Sequence, residues 1–153
     1  MKYLIAFPPG VLRLETDGDV LTRCVFTTEA PGGLHPGAPR VISDTIGQLT
    51  EYFAGERRTF DLPLAGAATP FQQRLREALS SVPFGQTITY SNLASLMDSP
   101  KAIRAVGRAL GANPFHIIVP CHRVVGATTI GGYAAGTMIK ESLLEHESSH
   151  YKH

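Results

Sequence analysis

Leu93-Ala94-Ser95-Leu96-Met97-Asp98-Ser99-Pro100-Lys101-Ala102-Ile103-Arg104-Ala105-Val106-Gly107-Arg108-Ala109-Leu110 holds two amphipathic patterns with a turn between them. Leu93, Ala94, Leu96 and Met97 make a short apolar helix, entered through Thr87-Ile88-Thr89-Tyr90. Asp98-Ser99-Pro100 supplies turn and cap chemistry. A second helix is predicted over residues 100–110, stopped by Gly111 and Asn113-Pro114. At about 100° per residue, Ala102, Ile103, Val106, Ala109 and Leu110 fall on one side. Lys101, Arg104, Ala105 and Arg108 fall on the other. Two short helices and a tight turn, with a basic outer face on the second, form a helix-turn-helix pattern. An ordinary amphipathic pair on a protein surface fits the same residues equally well.

The chain downstream carries the chemistry. Residues 115–119 read as a short buried strand that Pro120 ends, because proline cannot donate to a ladder. Cys121 then stands at the strand's end with His122 and Arg123 beside it. Cysteine is a nucleophile as the thiolate, and a neighbouring imidazole or cation favours that form. For an arbitrary Cys-His pair the commoner outcome is a structural cysteine next to solvated basic residues. Residues 126–136 form a mobile, glycine-rich loop that matches neither a P-loop nor a dinucleotide fingerprint. A last helix spans residues 137–147, and residues 148–153 are polar and expected to fray.

Upstream, Thr69-Pro70 reads as an N-cap with proline at the first helical position. Phe71, Leu75, Ala78, Leu79 and Val82 continue that helix with one buried face, which Pro83-Phe84-Gly85 ends. Residues 3–7, 11–14 and 20–28 are β-prone around Pro8-Pro9-Gly10 and the turn Asp17-Gly18-Asp19. Residues 30–39 are loop, Val41, Ile42, Ile46, Leu49 and Phe53 mark a helix, and residues 56–68 read as an extended connection. Nothing in that first stretch has catalytic or ligand spacing, and Cys24 reads as a core residue of a strand.

The 153 residues suit one full domain or two small ones. Apolar content of 43% and charged content of 18% argue against disorder. No apolar run approaches the roughly 20 residues that cross a bilayer, and the start lacks the features of a signal peptide. With only two cysteines no disulfide framework is indicated, so a reducing, cytoplasmic setting is expected. Residues 1–65 hold six Lys/Arg and eight Asp/Glu, net −2; residues 66–153 hold eight and five, net +3. Residues 99–140 contain Lys101, Arg104, Arg108, Arg123 and Lys140 and no acid. Such a surface suits a polyanion.

Several of these runs coincide on one family. Val119-Pro120-Cys121-His122-Arg123-Val124-Val125 resembles the active-site signature of the O6-alkylguanine-DNA alkyltransferases, the methylated-DNA–protein-cysteine methyltransferases. Thr69-Pro70-Phe71-Gln72, Val82-Pro83-Phe84-Gly85, Thr89-Tyr90, Arg104-Ala105-Val106-Gly107, Asn113-Pro114, Gly132-Tyr133 and the Lys140 to Glu147 pattern match in order. The likeness is close over residues 69–147 and holds only in outline before that.

The resemblance implies an α+β protein. Residues 1–65 would form a small antiparallel-sheet domain with a helix, of ribonuclease-H-like outline. Residues 66–153 would form a mainly helical, winged-helix-like domain that binds DNA and accepts the alkyl group. Cys121 would take an alkyl group from the O6 of guanine, and by the same likeness from O4-alkylthymine, in a single irreversible turnover. His122 would be its base, Glu147 would orient the imidazole, and Asn113 would brace the turn before the cysteine. Tyr90 would crowd the neighbouring phosphate and donate to guanine N3. Arg104 would fill the stack vacated by a flipped base, from a helix in the minor groove. Ala105, Lys101, Arg108, Thr89 and Arg123 complete the expected DNA contacts. Leu110, His116, Val124, Tyr133 and Ala134 are the expected pocket, with carbonyls of Cys121 and Val124 taking the exocyclic amine. Ala134 stands where some relatives have serine, leaving a backbone donor for O6.

No metal or organic cofactor is implied. The partner would be double-stranded DNA carrying O6-alkylguanine, read with little sequence specificity by a monomer, with cooperative binding left open. A membrane is not expected to be involved; the location would be cytoplasmic and at the nucleoid, or nuclear in a eukaryote. Two other readings compete: non-enzymatic recognition of alkylated DNA, and a cysteine hydrolase with multiple turnovers.

Overall fold

A computed structural model describes residues 2–33 and 36–151. The pieces of the 30–39 loop and of the polar tail at 34–35 and 152–153 lie outside the described residues. The chain divides into two compact units, Met1–Ala65 and Gly66–His153.

In the first unit β1 (Lys2–Phe7), β2 (Gly10–Asp17) and β3 (Val20–Thr27) form an antiparallel meander in that order. The β2–β3 turn needs a left-handed residue, and Gly18 supplies it at φ +60°. Leu12, Leu14, Leu21 and Cys24 are fully buried, and α1 (Arg40–Phe53) adds Val41, Ile42, Leu49 and Tyr52 to the same core. The start of α1 has no side-chain cap of its own; the Asp19 carboxylate accepts the Val41 N–H at 3.0 Å instead. The extended connection runs beside β3, where Leu21 exchanges backbone hydrogen bonds with Pro63 and Ala65, each 2.8 Å long. Cys24 is a core residue: burial pushes its thiol up to about 12.

The second unit holds α2 (Pro70–Ser80), β4 (Ile88–Thr89), α3 (Tyr90–Leu96), α4 (Ile103–Gly111), a one-turn 3₁₀ helix (Cys121–Arg123), β5 (Val124–Val125) and α5 (Thr137–His150). Thr69 caps α2 by accepting the Gln72 N–H at 3.1 Å. Gln72 then turns across to α4 and donates to the Ala109 carbonyl at 3.1 Å. This ties α2 to the last turn of α4, where the Ala109 carbonyl also accepts the Ala112 N–H at 3.2 Å.

The architecture is α+β, with differences of detail. The only ladder in this unit, among the described residues, is a two-residue parallel pairing of β4 with β5, so the hairpin wing of a winged helix is not seen. Helix α4 begins at Ile103 rather than Pro100, because Ala102 N–H bonds Ser99 O in a separate turn and Asp98 sits at φ +57°. Ile103 itself is 43% exposed instead of buried. Residues 115–119 do not form a strand. Their backbone curls: Ile118 N–H bonds His116 O at 2.8 Å about Ile117, held at φ +71°. A β-branched residue there is strained, and the Asn113 side chain supplies the compensating bonds. Helix α5 continues to His150, and Gln86 Nε2 donates to the Tyr151 hydroxyl at 2.9 Å just beyond it.

Candidate active site

Cys121 opens the 3₁₀ turn, and Pro120 before it (φ −79°, ψ 62°) folds the Cys121 N–H back onto Val119 O at 2.7 Å. Asn113, 6% exposed, organises this bend. Its Oδ1 accepts the Phe115 N–H at 3.0 Å. Its amide nitrogen has two hydrogens and three acceptors: Phe115 O at 3.1 Å, Val119 O at 3.0 Å and Cys121 Sγ at 3.1 Å. The sulfur therefore receives a hydrogen bond, which favours its anion.

Burial works against that anion and prevails, so the Cys121 thiol lies above its ordinary range. Asn113, the Tyr133 hydroxyl, the residue's own backbone N–H and the charge of Lys140 pull the other way. At neutral pH Cys121 rests as a thiol and needs a base. A cavity of about 260 Å³ opens onto it. Gly107, Leu110 and Gly111 of α4 form one wall; Tyr90 of α3 and Gly132, Tyr133 and Ala134 of the loop form the others.

His122 is fully buried, and its Nε2–H donates to Glu147 Oε2 at 2.5 Å. Burial pushes the imidazole pKa down in spite of the carboxylate, so the ring is neutral. With Nε2 carrying the proton, Nδ1 keeps a lone pair, and it makes no hydrogen bond to a described residue. Glu147 is 1% exposed, yet burial is outweighed by His122 and Arg123, which hold it well below the usual carboxylate range. Arg123 binds it through two nitrogens, Nε to Oε1 at 2.8 Å and Nη2 to Oε2 at 3.1 Å. The Gly85 N–H adds a contact to Oε1 at 3.3 Å. Arg123 Nη1 donates to Val82 O at 2.8 Å, and its guanidinium lies over the Phe84 ring.

Lys140 was counted among the surface cations, and the structure buries it completely. Its ammonium donates to Val124 O at 2.5 Å and Gly132 O at 2.9 Å, and lies 5.9 Å from the centre of the Tyr90 ring. It ties the glycine-rich loop to β5 and places a cation near the sulfur. At Gly131 (φ +73°) the loop presses on Tyr90: an added Cβ would lie 2.6 Å from the hydroxyl oxygen. Among the described residues no group of three or more His, Cys, Asp or Glu could hold a metal.

Taken together, a buried thiol faces a small cavity, with a neutral imidazole on an ionised carboxylate beside it. Residues 70–149 match the family description "6-O-methylguanine DNA methyltransferase, DNA binding domain". The chain is 41% identical over 155 aligned positions to the constitutive methylated-DNA–protein-cysteine methyltransferase of Bacillus subtilis, covering 95% of this chain and 93% of that one. The chain belongs to the methylated-DNA–protein-cysteine methyltransferase family. The methyltransferase of Mycobacterium tuberculosis is 45% identical over 149 positions, 93% of this chain and 88% of that one. The crystal structure of Mycobacterium tuberculosis OGT in complex with DNA superposes with a TM-score of 0.86 at 40% identity, covering 97% of this chain and 93% of that one.

Within this family member, Cys121, His122, Glu147, Asn113 and Tyr90 are brought together, as are Leu110, Tyr133 and Ala134 at the cavity. Lys101, Arg104 and Arg108 are exposed on or beside α4, with Ala105 half-buried. Thr89 spends its hydroxyl capping α3 through the Asn92 N–H at 3.2 Å. Three of the expected site residues are buried. Arg123, expected at the DNA, is instead 5% exposed and engaged by Glu147 and Val82. His116 is buried, with its ring tilted at 41° and 5.3 Å from that of Tyr133, a residue of the cavity wall. Val124 is fully buried, and its carbonyl accepts from Lys140. No helix among the described residues is long and apolar enough to cross a membrane.

Proposed function

We propose that this protein repairs O6-alkylguanine in double-stranded DNA by moving the alkyl group onto Cys121, once and irreversibly. The observation that carries the reading is the Cys121 sulfur, hydrogen-bonded by Asn113 at the mouth of the cavity, with His122 on Glu147 behind it. A methyltransferase acting on a base inside a duplex must turn that base out. The exposed face of α4 lies against the minor groove, and Arg104 fills the vacated stack while Lys101 and Arg108 meet phosphates.

Transfer is a displacement at the alkyl carbon: the S–C bond forms as the O6–C bond breaks. His122 Nδ1 removes the thiol proton through a water, and Glu147 balances the imidazolium. Tyr90 donates a hydrogen bond to N3 of the departing guanine and stabilises its negative charge; the thiol proton stays on His122, and the guanine takes up a proton from water as it leaves. The carbonyls of Cys121 and Val124 each accept one bond within the protein; their second lone pairs take the exocyclic amine. The Ala134 backbone N–H faces O6. O4-alkylthymine fits the same displacement. The product is a thioether that nothing in the site can hydrolyse, so one molecule repairs one lesion.

The test is intact mass after incubation with an O6-methylguanine duplex. One added methyl on Cys121 with one equivalent of guanine restored is expected. An unchanged mass with intact lesion rejects the reading, and Cys121→Ala abolishes transfer while retaining duplex binding.

A further inference from the structure

Helix α4 segregates its residues with one exception. Val106, Ala109 and Leu110 are buried, whereas Ile103 is 43% exposed at the first turn. A lone exposed apolar residue is ordinary on a protein surface, but the position of this one is not arbitrary. Ile103, Gly107 and Gly111 follow at i, i+4 and i+8, so they share one row along the helix. Gly107 and Gly111 line the Cys121 cavity, and no atom lies within 4 Å of a Cβ placed on either. The row is thus a bare track, roughly 12 Å from its first residue to its last, with one half-exposed apolar side chain at its far end. The adjacent row carries Arg104 and Arg108, both exposed.

We infer that Ile103 is an apolar contact to the groove wall of the duplex, seated one row from Arg104 and supplying the part of DNA affinity that salt does not screen. The inference rests on the reading of α4 as the DNA-facing helix. A backbone that settles on bare glycines comes close enough for a branched side chain at the end of the track to cover deoxyribose faces or the edge of an opened step. Burying its exposed area on binding involves no counterion. The Arg row releases counterions and carries the salt dependence.

The experiment measures binding of an O6-methylguanine duplex across a salt series by fluorescence anisotropy, in a Cys121→Ala background that leaves the complex unreacted. The same substitutions in the reactive chain are tested for transfer from free O6-benzylguanine. Ile103→Ser is expected to weaken duplex binding about tenfold at every salt concentration. The slope of log Kd against log salt should stay unchanged, as should the free-base rate and the melting temperature. Arg108→Ala is the contrast: its slope falls by about one. Equal binding by Ile103→Ser and its parent, an altered slope, or a matching loss on the free base each overturns the inference. A parent protein that transfers methyl while Ile103→Ser binds equally leaves the repair reading intact. A parent that neither binds nor transfers overturns both.

Discussion

Arg123→Ala separates two accounts of a basic residue next to Cys121. If Arg123 met DNA, its loss would weaken duplex binding and leave stability alone. The structure leads to the opposite outcome. The substitution removes two hydrogen bonds from Glu147 and one from Val82 O, and uncovers the Phe84 ring. Glu147 keeps His122 and the Gly85 N–H but stays buried with an uncompensated charge. Breaking one partner of such a pair costs about 3–5 kcal/mol. For a chain of this size each kcal/mol lowers the melting temperature by about 2–4 °C, so a drop near 10 °C is expected. Urea and thermal unfolding followed by circular dichroism read it, with duplex affinity measured at a temperature where the variant is folded. Arg123→Lys should recover little, since one ammonium cannot span both carboxylate oxygens and the Val82 carbonyl. Replacing Arg123 and Glu147 together by leucine should restore much of the stability while abolishing transfer. An Arg123→Ala protein of unchanged stability and reduced duplex affinity refutes the assignment.

Two further outcomes follow from the same cluster. Buried His122 is held neutral, so below about pH 6.5 the unfolded chain binds a proton the folded one refuses, and stability falls as pH drops. Below about pH 4.3 Glu147 adds to the loss in the same direction, while raised Cys121 makes stability decline above about pH 8.5. Urea midpoints should peak between these limits; a midpoint that rises from pH 7 to pH 5 contradicts the neutral imidazole. Lys140→Met keeps the length but loses both donors, leaving the Val124 and Gly132 carbonyls unmet. The Cys121 thiol should titrate higher, and its alkylation by iodoacetamide at pH 8 should slow several-fold. Equal rates would show that the ammonium does not act on the sulfur.

What the sequence revealed and concealed has a physical pattern. Helix starts with local signals were readable: Thr69 before Pro70 caps α2 as its residue type suggests, whereas Thr89, expected at the DNA, caps α3. The amphipathic split of α4 was readable for Val106, Ala109 and Leu110 because burial there follows helical period. The strand expected at residues 115–119 failed because β-propensity cannot foresee a side chain. Asn113 reaches around the bend and takes backbone carbonyls that a ladder would use. Arg123 and Lys140 were misplaced for one reason: charge suggests solvent until a partner appears, and their partners lie 24 and 8 or 16 positions away. Ile103 erred in the opposite sense, since the turn at residues 99–102 shifts where the helix begins.

The loop at residues 126–136 is rich in glycine, yet it is fastened. Lys140 holds Gly132 O, the Thr129 hydroxyl accepts the Gly131 N–H at 3.2 Å, and Gly131 abuts the Tyr90 hydroxyl so closely that no side chain fits. The doorway to Cys121 is therefore a frame and not a flap. A frame sorts what passes by girth: adducts narrower than the opening should be accepted at similar rates, and wider ones should be refused abruptly.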